Sequence, residues 1–149
     1  EEGLWSVRDL TEFYCGKAGD VPLPADYDGD EWMDTAIFRP SSGLWAVRNL
    51  TRLCFGTSGD IPVSADYDRD GTTEIAIYRP STGLCAGVLS QEGPSRICLG
   101  IDGDIPVPAN FDGGEWTQPA VFRPSSGLWA ARNLTRCRFG MSGDLPVAK

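Results

Sequence analysis

Two short stretches of the chain concentrate acids at regular spacing. Asp26-Tyr27-Asp28-Gly29-Asp30, followed by Trp32 and Asp34, puts carboxylates at loop positions 1, 3, 5 and 9, with the Trp32 carbonyl on offer at position 7. A second copy reads Asp66, Asp68, Asp70 and Glu74, with Gly71 permitting the turn and Thr72 at position 7. Hard cations such as Ca2+ take roughly six to eight oxygens at about 2.3 to 2.6 Å, and a tight loop with acids at odd positions turns those oxygens inward. Four acids held together repel one another unless a cation sits among them. Calcium is therefore expected at both loops. A third stretch keeps the spacing but not the charge: Asn110, Asp112, Gly114 and Gln118 leave one carboxylate among four ligand positions, so weak binding or none is expected there. Asp also favours turns, and that plainer account competes at every copy. An EF-hand shares the early spacing but needs helical flanks and a Glu at position 12, which neither acidic loop has.

Other chemistry finds little support. The chain contains no His, which removes His-based triads and His zinc sites. Every clustered acid is already explained as a calcium ligand or a turn residue, so no enzymatic activity is expected. The net charge of -8 argues against nucleic acid or an anionic membrane surface as partner and favours cations. No apolar stretch approaches the roughly 20 residues of a membrane span. Nothing at the start resembles a signal peptide; the chain opens on Glu1-Glu2-Gly3, as expected if a leader was removed or if it is a piece of something longer. Asn49-Leu50-Thr51 and Asn133-Leu134-Thr135 match the N-glycosylation sequon, although Asn also suits a left-handed turn position.

The loops must be positioned by a repeat. Gly-Leu-Trp/Cys begins at Gly3, Gly43, Gly83 and Gly127, a period of 40, 40 and 44 residues. Gly-Asp-Val/Ile/Leu-Pro recurs at Asp20, Asp60, Asp104 and Asp144, and Phe/Tyr-Arg-Pro-Ser recurs at Arg39, Arg79 and Arg123. The 18 Gly and 11 Pro recur at fixed places and read as turn punctuation, while 41% hydrophobic residues suffice for a core. Each repeat reads as four short strands, typified by 61–67, 74–79, 44–48 and 52–55. Pro62, lacking an N–H, suits an edge strand. The expected fold is all-β: tandem four-stranded blades of the propeller type, about 3.5 repeats, forming one repeat domain over 1–149 with repeats 3–42, 43–82, 83–126 and a partial 127–149. A stacked solenoid is the rival architecture.

With Asn49-Leu50 as a two-residue hairpin turn, Val47 faces Arg52 and Trp45 faces Cys54. In the third repeat the turn is four residues longer, and the same register sets Cys85 opposite Cys98, a candidate disulfide. Buried thiols in apolar strand positions are the alternative. Trp5, Trp45 and Trp129 recur once per repeat, each followed two residues later by a Val or Ala and then Arg8, Arg48 or Arg132; packing between blades is favoured over sugar stacking. Trp32 and Trp116, beside the loops, are better suited to an exposed contact.

The run Asp66-Tyr-Asp-Arg-Asp-Gly-Thr-Thr-Glu-Ile-Ala-Ile-Tyr-Arg-Pro resembles the FG-GAP or VCBS-type repeats of integrin-α-like β-propellers and bacterial surface proteins. The resemblance covers nearly the whole chain. It implies calcium at Asp26, Asp28, Asp30 and Asp34, and at Asp66, Asp68, Asp70 and Glu74. It is poor for function, because that group includes adhesins, lectins and structural modules. Two expectations follow. One is a calcium-stabilised extracellular or cell-surface scaffold that assembles head-to-tail with itself through incomplete terminal blades, as a ring or a filament completed by another chain. The other is a propeller that binds glycans or a surface protein, of which this sequence is a fragment.

Overall fold

The computed structural model describes residues 2–7, 11–89, 93–114, 116–134 and 136–147. The chain forms two compact units, 1–58 and 59–149. Unit 1–58 contains β1 (Glu2–Val7), β2 (Thr11–Lys17), β3 (Val21–Pro22), β4 (Ala36–Arg39), β5 (Leu44–Val47) and β6 (Thr51–Cys54). Unit 59–149 contains β7 (Ile61–Pro62), β8 (Ile75–Arg79), β9 (Leu84–Leu89), β10 (Gly93–Cys98), β11 (Ile105–Pro106), β12 (Ala120–Arg123), β13 (Leu128–Ala131) and β14 (Cys137–Arg138). Among the described residues there is no helix, and no helix is long and apolar enough to cross a membrane.

Three sheets repeat one plan, with strand orders β3-β4-β5-β6, β7-β8-β9-β10 and β11-β12-β13-β14, all antiparallel; β1 and β2 form a two-stranded sheet. The second strand of each four-stranded sheet is an unbroken apolar run, Ala36-Ile37-Phe38, Ile75-Ala76-Ile77-Tyr78 and Ala120-Val121-Phe122, buried on both faces. The strand after it alternates, as in β5, where Trp45 and Val47 are buried while Leu44 and Ala46 are half-buried. The first strand is an edge in every sheet and carries Pro22, Pro62 or Pro106, a residue with no N–H to give a further neighbour. The blade-like all-β architecture expected from the repeat is present.

The hairpin register differs from expectation by one residue. Trp45 faces Leu53, Ala46 faces Arg52 and Val47 faces Thr51, so the turn is the three residues Arg48, Asn49 and Leu50, with Asn49 left-handed at φ 60°. A one-residue slip moves every side chain of one strand to the other face of the sheet. Cys85 accordingly pairs with Ile97 and Cys98 with Leu84, which puts the two sulfurs on opposite faces. The expected Cys85–Cys98 disulfide is thereby corrected: Cys85 is half-buried, Cys98 exposed, and all five cysteines are free thiols.

One interaction ties all three four-stranded sheets together, and a second ties two of them. Asp20, Asp60 and Asp104 stand just before the first strand, and Arg39, Arg79 and Arg123 end the second. Antiparallel pairing of Val21 with Phe38 brings Asp20 beside Arg39, and the same geometry serves the other copies. Each pair is bidentate: Arg39 Nε and Nη2 donate to Asp20 at 2.7 and 2.8 Å, Arg79 to Asp60 at 2.8 and 2.8 Å, and Arg123 to Asp104 at 2.8 and 2.9 Å. The Asp side chains are almost wholly shielded, so these forks are stronger than surface pairs. The guanidinium holds Asp20 below the usual carboxylate range. Asp104 is lowered too, its burial outweighed by Arg123 and by the Ile101 N–H.

In the first and third sheets the recurring tryptophan closes the same end, since Trp45 pairs with Phe38 one residue from Arg39. Trp45 is fully buried with its ring 5.0 Å from Phe38, and its indole N–H donates to the Phe55 carbonyl at 2.9 Å. Trp129 repeats this with Phe122 at 5.0 Å and the Phe139 carbonyl at 3.0 Å. Nearby, Gly43, Gly83 and Gly127 lie so close to the carbonyls of Gly56, Gly100 and Gly140 that a Cβ at any of them would collide with backbone oxygen. Within unit 59–149 the second and third sheets share a core in which Val63, Ala76 and Tyr78 meet Val121 and Ala130.

Candidate metal centre

Each loop connects the first strand of a sheet to the second, and its ends are pinned by a single β-bridge: Ala25 to Asp34, Ala65 to Glu74, Ala109 to Gln118. Across that bridge the residue at position 9 turns its side chain inward to accept the backbone N–H of position 2. Asp34 Oδ2 accepts from Tyr27 at 2.9 Å, Glu74 Oε2 from Tyr67 at 2.6 Å and Gln118 Oε1 from Phe111 at 2.6 Å. The residue at position 1 caps the turn that follows. Asp26 accepts from Gly29 at 2.6 Å and Glu31 at 2.8 Å, Asp66 from Arg69 at 2.7 Å and Gly71 at 3.3 Å, and Asn110 from Gly113 at 2.8 Å. Such side chain to backbone bonds are what make Asp and Asn turn residues.

The second loop gathers all four of its expected acids. One carboxylate oxygen from each of Asp66, Asp68, Asp70 and Glu74 lies within 4.8 Å of all the others. The first loop gathers Asp26, Asp28 and Asp34 in the same way. Asp30 is not among them; it accepts the Trp32 N–H at 2.8 Å. Thr72 likewise donates its N–H at 2.8 Å and its hydroxyl at 2.5 Å to Asp70. The Trp32 side chain is 77% exposed, as expected of a loop contact.

Charge is most constrained at Glu74. It is only 3% exposed, and its Oε1 is buried without a hydrogen-bond partner among the described residues. Burial pushes this carboxyl up to about 7; the Tyr67 N–H opposes the rise, while the charges of Asp68, Asp66 and Asp70 add to it. In the first loop, desolvation and the neighbouring Asp30 raise Asp28. Asp26 is held low because the Gly29 and Glu31 N–H groups overcome its desolvation. A buried carboxylate oxygen with no donor, facing three further carboxylates, is a costly arrangement for the protein alone. A hard divalent cation satisfies it, and the all-oxygen donor set fits Ca2+.

The third loop has the same backbone plan with the acids replaced. Asn110 Nδ2 donates to the Gly114 carbonyl, Gly114 N–H donates to Asp112 Oδ1 at 2.8 Å, and the Trp116 indole reaches Asp112 Oδ2 at 3.4 Å. The Arg69 guanidinium lies 4.5 Å from the Trp116 ring, and Thr117 N–H donates to the Asp66 carbonyl at 2.9 Å, joining this loop to the second. Internal hydrogen bonds thus hold this loop together without a cluster of carboxylates.

Sequence reasoning noted the Asp and Arg markers but did not join them. The signal was available: opposite charges recur at a constant separation, Asp20 to Arg39, Asp60 to Arg79 and Asp104 to Arg123. It also gave position 9 only a metal-binding role, although its first task is to hold a backbone N–H. The sequon residues Asn49 and Asn133 both take φ 60° in exposed turns. No protein-family model matches the chain, and neither the curated proteins nor the solved structures yield a match.

Proposed function

We propose that the chain is a non-enzymatic, calcium-stabilised repeat module of the β-propeller-blade type, akin to FG-GAP or VCBS repeats, serving as a rigid structural or adhesive element outside the cell. The observation that carries this reading is Glu74, a buried carboxylate with an unpartnered oxygen that faces Asp66, Asp68 and Asp70. Calcium there, and at Asp26, Asp28 and Asp34, cross-links the loop between the first two strands of a blade and cancels its self-repulsion. The edge strand is tied to the sheet by few ladder bonds, so fixing this loop fixes the edge. Extracellular calcium modules work with dissociation constants of about 0.1 to 1 mM, which compact loops of this kind can match.

The carbohydrate-binding alternative gains nothing from Trp45, which is sealed in the core, while Trp5 and Trp129 are half-buried. Calcium titration calorimetry and thermal melting with and without EDTA test the proposal. Two binding events per chain and a melting temperature raised by calcium are expected, because a ligand that binds only the folded state must stabilise it. An unchanged melting temperature in millimolar calcium would overturn it.

A further inference from the structure

All three loops are left-handed at position 4, and only the second fills that position with a side chain. Gly29 and Gly113 take φ 82° and 76° there, whereas Arg69 takes φ 68°, a conformation that disfavours a residue with a Cβ. What the Arg69 side chain reaches sets this loop apart. Asp66 Oδ1 accepts the Arg69 N–H at 2.7 Å, and the guanidinium carbon lies 4.5 Å from the centre of the Trp116 ring in the third loop. Its Nη2 comes within 3.5 Å of the point a Cβ on Gly114 would occupy, beside position 5 of the third loop, where the two acidic loops carry Asp30 and Asp70. The Gly114 N–H holds the Asp112 carboxyl below the usual carboxylate range, and the Arg69 charge adds to that effect. The backbone joins the same two loops, since Thr117 N–H donates at 2.9 Å to the carbonyl of Asp66, the first acid of the cluster. Trp116 is half-buried among these contacts, whereas Trp32, at the same position of the first loop, is 77% exposed.

We propose, on the calcium reading of Asp66, Asp68, Asp70 and Glu74, that this cation site spans two sheets: Trp116 of the neighbouring loop is a positioning residue that acts through Arg69 and raises calcium affinity. Asp66 is held from both sides, because its carboxylate caps Arg69 and Gly71 while its carbonyl receives Thr117. Four carboxylates without a cation push the loop open, which draws Arg69 off the ring. Calcium closes the loop and restores the stack. Closure and stacking are therefore linked, and whatever favours one favours the other. A planar guanidinium on an indole face offsets the left-handed backbone at Arg69, which Gly would adopt freely.

Calcium titration calorimetry tests this on the full chain carrying Asp28→Asn and Asp34→Asn, which leave the 66–74 loop as the calcium site. Trp116→Leu should weaken calcium about threefold, the order that one exposed cation–π contact supplies, while Trp116→Phe, which keeps a ring, should retain most of the affinity. The deciding measurement is the cycle with Arg69→Gly, which gives the second loop the position-4 residue of its sisters. In that background Trp116→Leu should leave calcium affinity unchanged. An equal loss in both backgrounds, or no loss in either, overturns the proposal and leaves the calcium site standing. Absence of any calcium event in the parent chain overturns both. Should Trp116→Leu not fold, NMR of the parent chain decides: the Trp116 indole N–H resonance should shift in step with added calcium, and an indole unmoved by calcium overturns the proposal.

Discussion

The loops 66–74 and 110–118 occupy equivalent places in adjacent sheets and differ mainly in charge. Both are closed by one bridge, both point the position-9 side chain at the position-2 N–H, and both cap their first turn from position 1. Only the first of them collects four carboxylates. The shape of the loop therefore comes from hydrogen bonds that an acid and an amide make equally well, and the gathering of carboxylates is a separate property laid over that shape. Gln118 keeps the acceptor that Glu74 provides and gives up only the charge.

This contrast can be broken from either side. The largest effect should come from the fork beside the 110–118 loop. Asp104→Ala leaves Arg123 without its partner and should cost about 3 kcal/mol in urea denaturation, the same loss being read with and without calcium. Next, Glu74→Ala and Gln118→Ala each strip a backbone N–H of its acceptor, and both should lose about 1–3 kcal/mol in EDTA. Adding calcium should separate them, since only the Glu74 variant loses a binding event in calorimetry. A clear inequality in EDTA would show that the two loops do not share one hydrogen-bonding plan.

Glu74→Gln makes the second loop resemble the third. The fold should survive, and calcium at that loop should weaken by about 100-fold, read by calorimetry. The same carboxyl sets a pH dependence in calcium-free buffer. Its folded value of about 7 stands above the ordinary 4.5, so the folded state keeps the proton longer than the unfolded state. Stability from this group is full below about pH 4.5 and is lost as pH rises through about 7. The melting temperature in EDTA should thus fall by several degrees between pH 5 and pH 8, and Glu74→Gln should flatten that slope. The smallest effect is a gain: Asn110→Asp, Gly114→Asp and Gln118→Glu together should add one weak calcium event. A Cβ at Gly114 meets first the Asp112 side chain, at 2.9 Å, which can turn aside.

Much of this contrast was legible in the sequence, because acids at alternate positions and their substitution at Asn110, Gly114 and Gln118 are visible without coordinates. The sheet order was legible too, since the apolar runs, the edge prolines and the turn glycines agree with one another. The register was not. Leu44, Trp45, Ala46 and Val47 are all apolar, so alternation does not say which pair faces the core, and turns of two or three residues fit the pattern equally. Once Asn49 takes the left-handed middle position of a three-residue turn, Trp45 meets Leu53 and the cysteine pairing falls away. The forks between Asp and Arg escaped for a related reason: their contact depends on pairing between first and second strands, which a ladder of two residues barely announces.

The close approach of Gly83 to Gly100 bears on how such a unit can diversify. The hairpin above it is four residues longer than its sisters, yet Leu84 still faces Cys98 and Leu99 N–H still reaches the Gly83 carbonyl. The base of the hairpin is a fixed clasp and its tip is free in length, so segments grafted between Leu89 and Gly93 should be displayed without disturbing the sheet beneath. In effect the molecule is a socket with an exchangeable fitting, ready to carry a foreign peptide at one tip while its other tips stay short.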